Sequence, residues 1–433
     1  MTYTRDMTTM STVELQIAER ARANPDEPLT NLHGFIDEAL LEECLATLNK
    51  KGAAGVDRQS WAQYNEQRSQ RLPEVLGAFK SGRYRAPNIR RIYIPKADGR
   101  KRPLGLPTVE DKLLQTSVAK VLTPVYEQEF YESSYGFRTG KSQHQALEEV
   151  FREVSFGGKR FVIDADIAGY FDNIDHGKLR ELLDLRIKDG VIRRMIDKWL
   201  KAGILEDGRI RYPEQGTPQG GVISPLLANI FLHYVLDEWF IEQIQPLLAS
   251  SSAHIRYADD FLLLFTNRSD AERVLKVLPK RLAKYGLRLH PEKTKLIELG
   301  NRNGPTSGTF NFLGFTHYMG TSRKGRRILK RKTSSKKLKM SLKRMNKWIK
   351  DNRHLSVEEL IHKINQKLQG HYGYYGITFN SRSIALYYGR VRRLLQKWLN
   401  RKGGKKAYIW KRFADIILVH HPLLEPRIVH KHC

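Results

Sequence analysis

Apolar residues recur at three- and four-residue intervals through most of the chain's first 80 residues. This spacing predicts a mostly helical segment over residues 11–80. Between Tyr84 and Pro107 the pattern changes to short alternating runs, and an Asp-Gly pair at 98–99 predicts a hairpin turn. A helical pattern returns from Val109 to Glu153. The chain is therefore predicted to begin with helices that flank one hairpin.

Two further strand-like patterns lie in the middle of the sequence. Residues 160–166 form an apolar run that ends in an aspartate and predict a buried strand. Residues 254–257 and 261–265 are strand-like too, and Asp259 and Asp260 lie at or beside the turn between them. Helical patterns fill other stretches, to about residue 203, over 224–248 and over 270–287, and short strands are predicted near 295–298 and 310–315. Alternating helices and strands predict an α/β chain.

The composition changes abruptly after Gly320. Residues 321–433 contain 30 Lys and Arg against 5 Asp and Glu, so they carry most of the chain's net charge of +29. A basic region of this size most often faces a polyanion, and nucleic acid is favoured over an anionic membrane because aromatics and turns interrupt the region. One helical face is apolar, as a packed helical domain requires, and comprises Ile361, Ile364, Leu368, Tyr372 and Tyr375.

Length and cysteine content narrow the class further. A chain of 433 residues suggests two to four domains. Its two cysteines, Cys44 and Cys433, exclude a disulfide framework and a Cys-rich zinc module, and they fit a reducing cytosol. The N-terminus has no apolar signal core, and no run of 18 apolar residues could span a membrane. We therefore expect a cytoplasmic protein.

Three aspartates could carry metal chemistry. Joining two nucleotides requires a 3′-hydroxyl to attack an α-phosphate, and two Mg²⁺ ions can stabilise the attacking and leaving oxygens. Mg²⁺ prefers carboxylate oxygens, which Asp166 offers at a strand end and Asp259 and Asp260 offer at a hairpin tip. Turns also favour aspartate for backbone reasons alone, so the pattern by itself does not separate the two interpretations.

A series of sequence blocks resembles the reverse transcriptases encoded by bacterial group II introns. The box Tyr257-Ala-Asp-Asp260 is similar to the family's Y-A-D-D box, and residues 216–229 match its most distinctive block. The other similar blocks occur in the family's order, at residues 52–57, 94–107, 134–138, 164–176, 289–295 and 312–315. The resemblance is continuous over about residues 50–320 and looser in the basic region.

The resemblance implies a right-hand polymerase with fingers, palm and helical thumb. It implies an N-terminal, mostly helical extension over 1–85, fingers and palm over 86–320, and a thumb, called domain X, over 321–400. A short basic segment, 401–433, follows. Many relatives carry a Cys/His-rich endonuclease domain at this position, which we expect to be absent here.

The resemblance also implies roles for individual residues. Asp166, Asp259 and Asp260 would hold two Mg²⁺ ions, with the backbone carbonyl of Ile167 completing a shell. The residues implied to contact the incoming dNTP are Lys96, Arg102, Phe171, Gln219 and Lys293. Phe171 would lie under the sugar and reject a 2′-hydroxyl, and Lys293 would position or protonate the pyrophosphate. We interpret Asp164, Asp172, Asp175 and His176 as capping or structural residues.

The basic region is implied to grip nucleic acid. Several of its cations are spaced so that they share a helix face, and the expected RNA contacts are Lys330, Arg331, Lys332, Lys336, Lys337, Lys343 and Arg344. The expected partners are group II intron RNA, an RNA template with a DNA primer, dNTPs and target DNA, without a membrane. Whether the protein works as a homodimer stays open.

Three functions are compatible with these features. The first is an intron-encoded RNA-directed DNA polymerase that copies its intron and assists splicing as a maturase. The second is the same polymerase serving a host in DNA repair or phage defence. The third is an RNA-binding maturase whose polymerase has lapsed, which the presence of Asp166, Asp259 and Asp260 disfavours.

Overall fold

The computed structural model describes residues 11–95, 101–206, 209–212, 214–217, 220–300, 308–401 and 409–431. These ranges mix helices with three small β-sheets, so the predicted α/β class is confirmed. The chain divides into two compact units, the first formed by residues 1–146 and 163–296 and the second by 147–162 and 297–433. None of the described helices is long and apolar enough to cross a membrane.

Several helices begin where the sequence supplies capping side chains. Ser11, Asp37, Thr108 and Asp189 each accept a hydrogen bond from a first-turn amide of the helix that follows. The helices are α1 (Thr12–Ala23), α2 (Glu38–Thr47), α3 (Trp61–Glu66), α4 (Arg68–Lys80), α5 (Val109–Tyr126), α6 (Gln143–Ser155), α7 (His176–Asp184), α8 (Gly190–Leu200), α9 (Ser224–Leu232), α10 (Arg268–Ala283), α11 (Ser335–Asp351), α12 (Val357–Tyr375), α13 (Ser381–Asn400) and α14 (Trp410–Arg412). Residues 233–237 and 239–247 continue α9 as π-helical and 3₁₀ turns.

The strands fall into three sheets. They are β1 (Ile89–Pro95), β2 (Lys101–Leu106), β3 (Phe161–Asp166), β4 (Ile204–Glu206), β5 (Arg209–Arg211), β6 (Ser252–Tyr257), β7 (Asp260–Phe265), β8 (Lys295–Glu298), β9 (Thr309–Phe312), β10 (Phe315–Thr321) and β11 (Arg327–Thr333). The sheet orders are β2-β1-β4-β5, β6-β7-β3-β8 and β11-β10-β9.

The sheet with order β6-β7-β3-β8 carries the candidate aspartates. Strands β6 and β7 form an antiparallel hairpin in which Tyr257 pairs with Asp260, so Ala258 and Asp259 form a two-residue turn. Strand β3 is the neighbour of β7, and Asp166 is its last residue. The predicted hairpin and the predicted buried strand are therefore confirmed.

The sheet with order β2-β1-β4-β5 contains the first predicted hairpin. Its strands β1 and β2 are antiparallel, with Pro95 paired to Lys101. The predicted turn at 98–99 lies outside the described residues. Helix α5 follows β2 and is largely buried, and it contacts α1, α2 and α9. This helix is thus a central support of the first unit.

The second unit contains a small sheet of which the sequence pattern predicted one strand, near 310–315, where β9 lies. Strand β10 pairs with both β9 and β11, and β11 occupies the start of the region expected to be a helical thumb. They form because alternate residues face inward: Phe315 pairs with Thr333 and His317 with Arg331, and all four are buried. The helices that follow this sheet begin at Ser335.

Helices α11, α12 and α13 enclose the core of the second unit. The predicted apolar face of α12 is confirmed, because Ile361, Ile364, Leu368 and Tyr372 are buried and Tyr375 is partly buried. Apolar residues from the segment predicted to be a short basic tail join the same core, namely Phe413, Ile417 and Leu423. The described part of that segment is therefore integral to the second unit.

Candidate active site

Asp166 lies at the end of β3 with its carboxylate accessible. Its side chain is 44% exposed, and Lys293 donates a hydrogen bond from Nζ to Oδ2 over 2.6 Å. The Asp166 carbonyl accepts a hydrogen bond from the His290 amide at 2.7 Å. The carbonyl of Ile167, the predicted further metal ligand, does not accept that hydrogen bond. The structure thus brings Lys293 to Asp166 and holds the aspartate on an anchored backbone.

The turn that carries Asp259 is strained. Ala258 has a φ of 58°, in the left-handed region where the first residue of such two-residue turns is usually glycine or asparagine. Its carbonyl accepts a hydrogen bond from Arg256 Nη1 at 3.1 Å. Asp259 and Asp260 are both partly exposed. Strained residues persist where the surroundings over-determine them, which is common at functional sites.

A buried ion pair next to this turn fixes its position. The sequence pattern did not predict this pair. Arg256 and Asp237 are fully buried, with Arg256 Nε at 2.7 Å from Oδ1 and Nη2 at 2.5 Å from Oδ2 of the carboxylate. Arg256 Nη1 also donates to Asn229 Oδ1 at 2.9 Å. Burial acts to raise the pKa of Asp237, but Arg256 and His254 hold that pKa well below its usual range. Asp237 is therefore a permanent anion that orients Arg256.

Tyr170 links the segment after Asp166 to α9. Its hydroxyl donates to the Ala228 carbonyl at 2.5 Å. Burial raises the pKa of Tyr170, and the Asp259 carboxylate adds to this rise. Asp259 therefore lies within electrostatic reach of the residues that follow Asp166.

Gly136 packs directly against the strained turn. A Cβ at this position would lie 2.2 Å from the Ala258 amide nitrogen, closer than any side chain can approach. The Gly136 carbonyl accepts a hydrogen bond from Asn229 Nδ2 at 2.6 Å. The block at 134–138 therefore supports the turn through its glycine backbone.

We expect Gly136→Ala to displace the turn and lower DNA synthesis by at least about tenfold, because the added methyl must push the Ala258 backbone away. It should also cost about 1–3 kcal/mol of stability, as overpacking does. Primer extension and urea unfolding measure the two effects. Gly77→Ala is the control, because Gly77 lies in α4 with open space around it. Equal behaviour of the two variants would contradict this packing.

The block at 216–229 begins beside Phe171. The Thr217 amide donates to the Phe171 carbonyl at 2.8 Å. Gly220 has a φ of 113°, and a Cβ there would lie 2.3 Å from the Gly105 carbonyl oxygen of β2. Phe171 itself is partly exposed, with its ring edge-on to Tyr170 at 5.4 Å. The structure thus brings Phe171, the described ends of this loop and strand β2 together.

Three predicted dNTP contacts are not fully described. Lys96 and Gln219 lie outside the described residues. Arg102 is placed only by its backbone, in β2 opposite Ile94. Gly105, whose carbonyl oxygen lies against Gly220, is three residues after Arg102 in the same strand.

Three of the residues predicted to be capping or structural are characterised by their contacts or burial. Asp175 caps α7 by accepting a hydrogen bond from the Lys178 amide at 2.8 Å, as expected. Asp164 is partly buried, and burial raises its pKa to about 7, with the Asp166 carboxylate adding to the rise. His176 is buried and donates from Nε2 to the Gly216 carbonyl at 2.7 Å, so it supports the start of the loop.

No three Asp, Glu, His or Cys side chains within the described ranges lie close enough together to hold a metal ion. The chemistry of the donors nevertheless fits Mg²⁺, because Asp166, Asp259 and Asp260 offer accessible carboxylate oxygens on one sheet. The ammonium group of Lys293 already lies beside the Asp166 carboxylate and supplies one positive charge there.

The predicted RNA contacts differ in exposure. Lys332, Lys336, Lys337, Lys343 and Arg344 are exposed, and Lys330 is partly exposed. Arg331 is fully buried in β11 and donates from Nη1 to the Leu147 carbonyl at 3.1 Å. Because strand alternation turns its side chain inward, Arg331 cannot contact RNA at the surface, and that prediction is wrong.

Comparison with known families agrees with this arrangement. Residues 94–317 match the family described as reverse transcriptase (RNA-dependent DNA polymerase). Residues 335–415 match the group II intron maturase-specific domain. The chain therefore belongs to the reverse transcriptase family, in the group II intron branch that carries a maturase domain.

Individual relatives give the extent of the similarity. The chain is 38% identical over 239 residues to group II intron-encoded protein LtrA of Lactococcus lactis subsp. cremoris, covering 54% of this chain and 39% of that protein. It is 31% identical over 321 residues to protein YkfC of Escherichia coli (strain K12), covering 66% and 84%. It is 43% identical over 174 residues to an uncharacterized 91 kDa protein in the cob intron of Schizosaccharomyces pombe, covering 40% and 21%. The match thus spans about two fifths of the length of LtrA.

Proposed function

We propose that this chain is an RNA-directed DNA polymerase encoded by a group II intron, which copies intron RNA into DNA and assists splicing as a maturase. One observation carries the polymerase assignment: Asp166 ends β3, and Asp259 and Asp260 lie at the β6–β7 turn on the neighbouring strand. The match to the maturase-specific domain and the strongly basic second unit support the RNA-binding role.

Asp166, Asp259 and Asp260 would hold two Mg²⁺ ions in the proposed reaction, with the Ile167 carbonyl as a further ligand. The ions would stabilise the attacking 3′-hydroxyl and the leaving pyrophosphate oxygens. Carboxylates that share a site repel each other unless a cation lies between them. We therefore expect the three side chains to draw together around the ions. Lys293, now paired with Asp166, would then be free to contact the pyrophosphate.

The dNTP would lie between the β2 strand and the 216–223 loop. Lys96 and Arg102 would neutralise the triphosphate, and Gln219 would line the pocket. Phe171 would lie under the sugar and exclude a 2′-hydroxyl. The proximity of Phe171, Thr217 and β2 supports this arrangement.

The exposed cations of α11 are proposed to contact RNA phosphates. Lys336 and Lys343 are two helical turns apart, as are Lys337 and Arg344, so each pair shares one face. Met345 lies opposite the face of Lys336 and Lys343 and is buried in the core of the second unit. Phosphate contacts of this kind set affinity and position RNA without reading sequence.

We expect the double variant Lys336→Ala/Lys343→Ala to weaken RNA binding and to flatten its salt dependence. Losing two phosphate contacts should reduce the slope of log K against log salt by roughly 1.5. Filter binding at several salt concentrations measures this slope. The control is Lys188→Ala/Lys276→Ala, which removes two exposed lysines of the first unit. An identical loss of slope in both double variants would remove α11 from the proposed RNA surface.

Primer extension tests the polymerase assignment. The purified protein is supplied with an RNA template, an annealed DNA primer, four dNTPs and Mg²⁺. We expect DNA extended to the template end, and none without the RNA template. Absence of product together with tight RNA binding would instead favour a maturase that uses this fold as a scaffold.

A group II intron transcript tests the maturase assignment. We expect the protein to bind this RNA more tightly than a structured RNA of equal length, and to accelerate its splicing at low Mg²⁺. Equal affinity for both RNAs with active DNA synthesis would favour a polymerase that serves another role, such as host DNA repair or phage defence.

A further inference from the structure

Gln115 is a buried polar residue of α5, and only 2% of it is exposed. Its side-chain oxygen accepts a hydrogen bond from the Val222 amide at 2.7 Å and a longer one from the Ile223 amide at 3.4 Å. Both amides belong to the block at 216–229. Buried backbone N–H groups are costly to leave unpaired, so a single acceptor that serves two of them fixes the backbone there.

A second buried polar group lies one turn earlier on the same helix. This group is Asp111, and its Oδ1 accepts hydrogen bonds from Trp199 Nε1 at 2.8 Å and from the Tyr84 hydroxyl at 3.2 Å. Burial raises the pKa of Asp111 to about 7, against the lowering effect of the hydrogen bonds from Trp199 and Tyr84. Asp111 therefore ties this part of α5 to two other segments of the first unit.

The loop is also anchored at its other described residues. Thr217 is bonded to Phe171, and Gly220 abuts the Gly105 carbonyl of β2. Gln115 supplies the third support, at Val222 and Ile223. The residues on both sides of Pro218 and Gln219 are therefore tied to the protein interior.

We propose that Gln115 is a positioning residue for the nucleotide pocket, because its side chain fixes the loop against which the incoming dNTP binds. Gln115 is buried, so in this role it acts through the loop and not by touching the nucleotide. The inference rests on the proposed polymerase function. It assigns a specific task to a residue in none of the blocks that resemble the family.

Single-nucleotide incorporation on an RNA template tests this role in the full chain. Gln115→Met keeps the shape of the side chain but removes the acceptor, and it should raise KM for dNTP by about tenfold, which corresponds to about one lost hydrogen bond. The kcat at saturating dNTP should stay within about threefold of wild type. A fall in kcat with unchanged KM would overturn the proposal.

Ser117→Ala is the matched structural control. Ser117 is equally buried on α5, and its hydroxyl donates to Leu113 of the same helix. We expect this variant to leave KM for dNTP unchanged even if it lowers the melting temperature. An equal rise of KM in Ser117→Ala and Gln115→Met would mean that general destabilisation of α5, and not loop positioning, causes the effect.

Hydrogen exchange of the protein alone separates this inference from the proposed function. The Val222 and Ile223 amides should exchange at least about tenfold faster in Gln115→Met than in wild type, because their acceptor is gone. Unchanged exchange at both amides would overturn the anchor. Failure of wild type to extend a primer would contradict the polymerase assignment, whereas the exchange rates would still decide whether Gln115 holds the loop.

Discussion

Asp259→Asn is expected to reduce RNA-templated DNA synthesis by at least about 10³-fold, because losing a metal-binding carboxylate removes several kcal/mol of transition-state stabilisation. Asparagine has the same shape, and Asp259 is partly exposed at a turn, so stability should change by no more than about 0.5 kcal/mol. RNA affinity should stay nearly unchanged, because it depends on cationic contacts to phosphate. Single-turnover primer extension, thermal unfolding and filter binding measure the three quantities.

Asp172→Asn is the control for this substitution. Asp172 is an exposed acid six residues after Asp166, and it is not among the proposed metal ligands. It should retain DNA synthesis within a few-fold of wild type. Equal loss of activity in both variants, or loss of synthesis and RNA binding together with the fold in Asp259→Asn, would contradict the assignment of Asp259 as a metal ligand.

Asp237→Ala is expected to destabilise the protein by about 3–5 kcal/mol, because it leaves the buried Arg256 guanidinium without its counter-ion. The loss should extend to DNA synthesis, since Arg256 also bonds the Ala258 carbonyl at the turn that carries Asp259. Urea unfolding measures the stability change, and primer extension measures the activity at a temperature where the variant remains folded.

Asp184→Ala provides the comparison for an exposed pair. Asp184 accepts a hydrogen bond from Arg193 with its side chain 53% exposed, so its removal should cost less than about 1 kcal/mol. The double variant Asp237→Leu/Arg256→Met should be more stable than Asp237→Ala, because no charge is left unpaired. If Asp237→Ala were as stable as Asp184→Ala, the buried pair could not be the support of the turn.

Structural features that depend on a local pattern of residues could be predicted from the sequence alone. The strand that ends at Asp166 and the hairpin around Asp259 follow from short apolar runs that flank acidic residues. Strand β11 was missed because four of its seven residues are basic and resemble the helical region that follows. Strand β10 contains no Lys or Arg. The glycine turn between the two strands, where Gly325 has a φ of 76°, is the signal that could have identified the hairpin.

Features that depend on long-range contacts could not be predicted. Arg256 meets Asp237 across 19 residues, and Gln115 meets Val222 across 107. A buried arginine and an exposed one look alike in a basic sequence, which is why Arg331 was assigned to the RNA surface. Tertiary packing, and not composition, decides which polar side chains the interior uses.

Counting bound Mn²⁺ by electron paramagnetic resonance tests the role of Asp259 and Asp260 as metal ligands, because it detects the metal site without requiring turnover. Wild type and Asp259→Asn/Asp260→Asn are compared with an RNA template, a primer that ends in a dideoxynucleotide and the matching dNTP. We expect about two more tightly bound Mn²⁺ per chain in wild type than in the variant. Equal numbers of bound Mn²⁺ in the two proteins would contradict the assignment of these aspartates as the metal ligands.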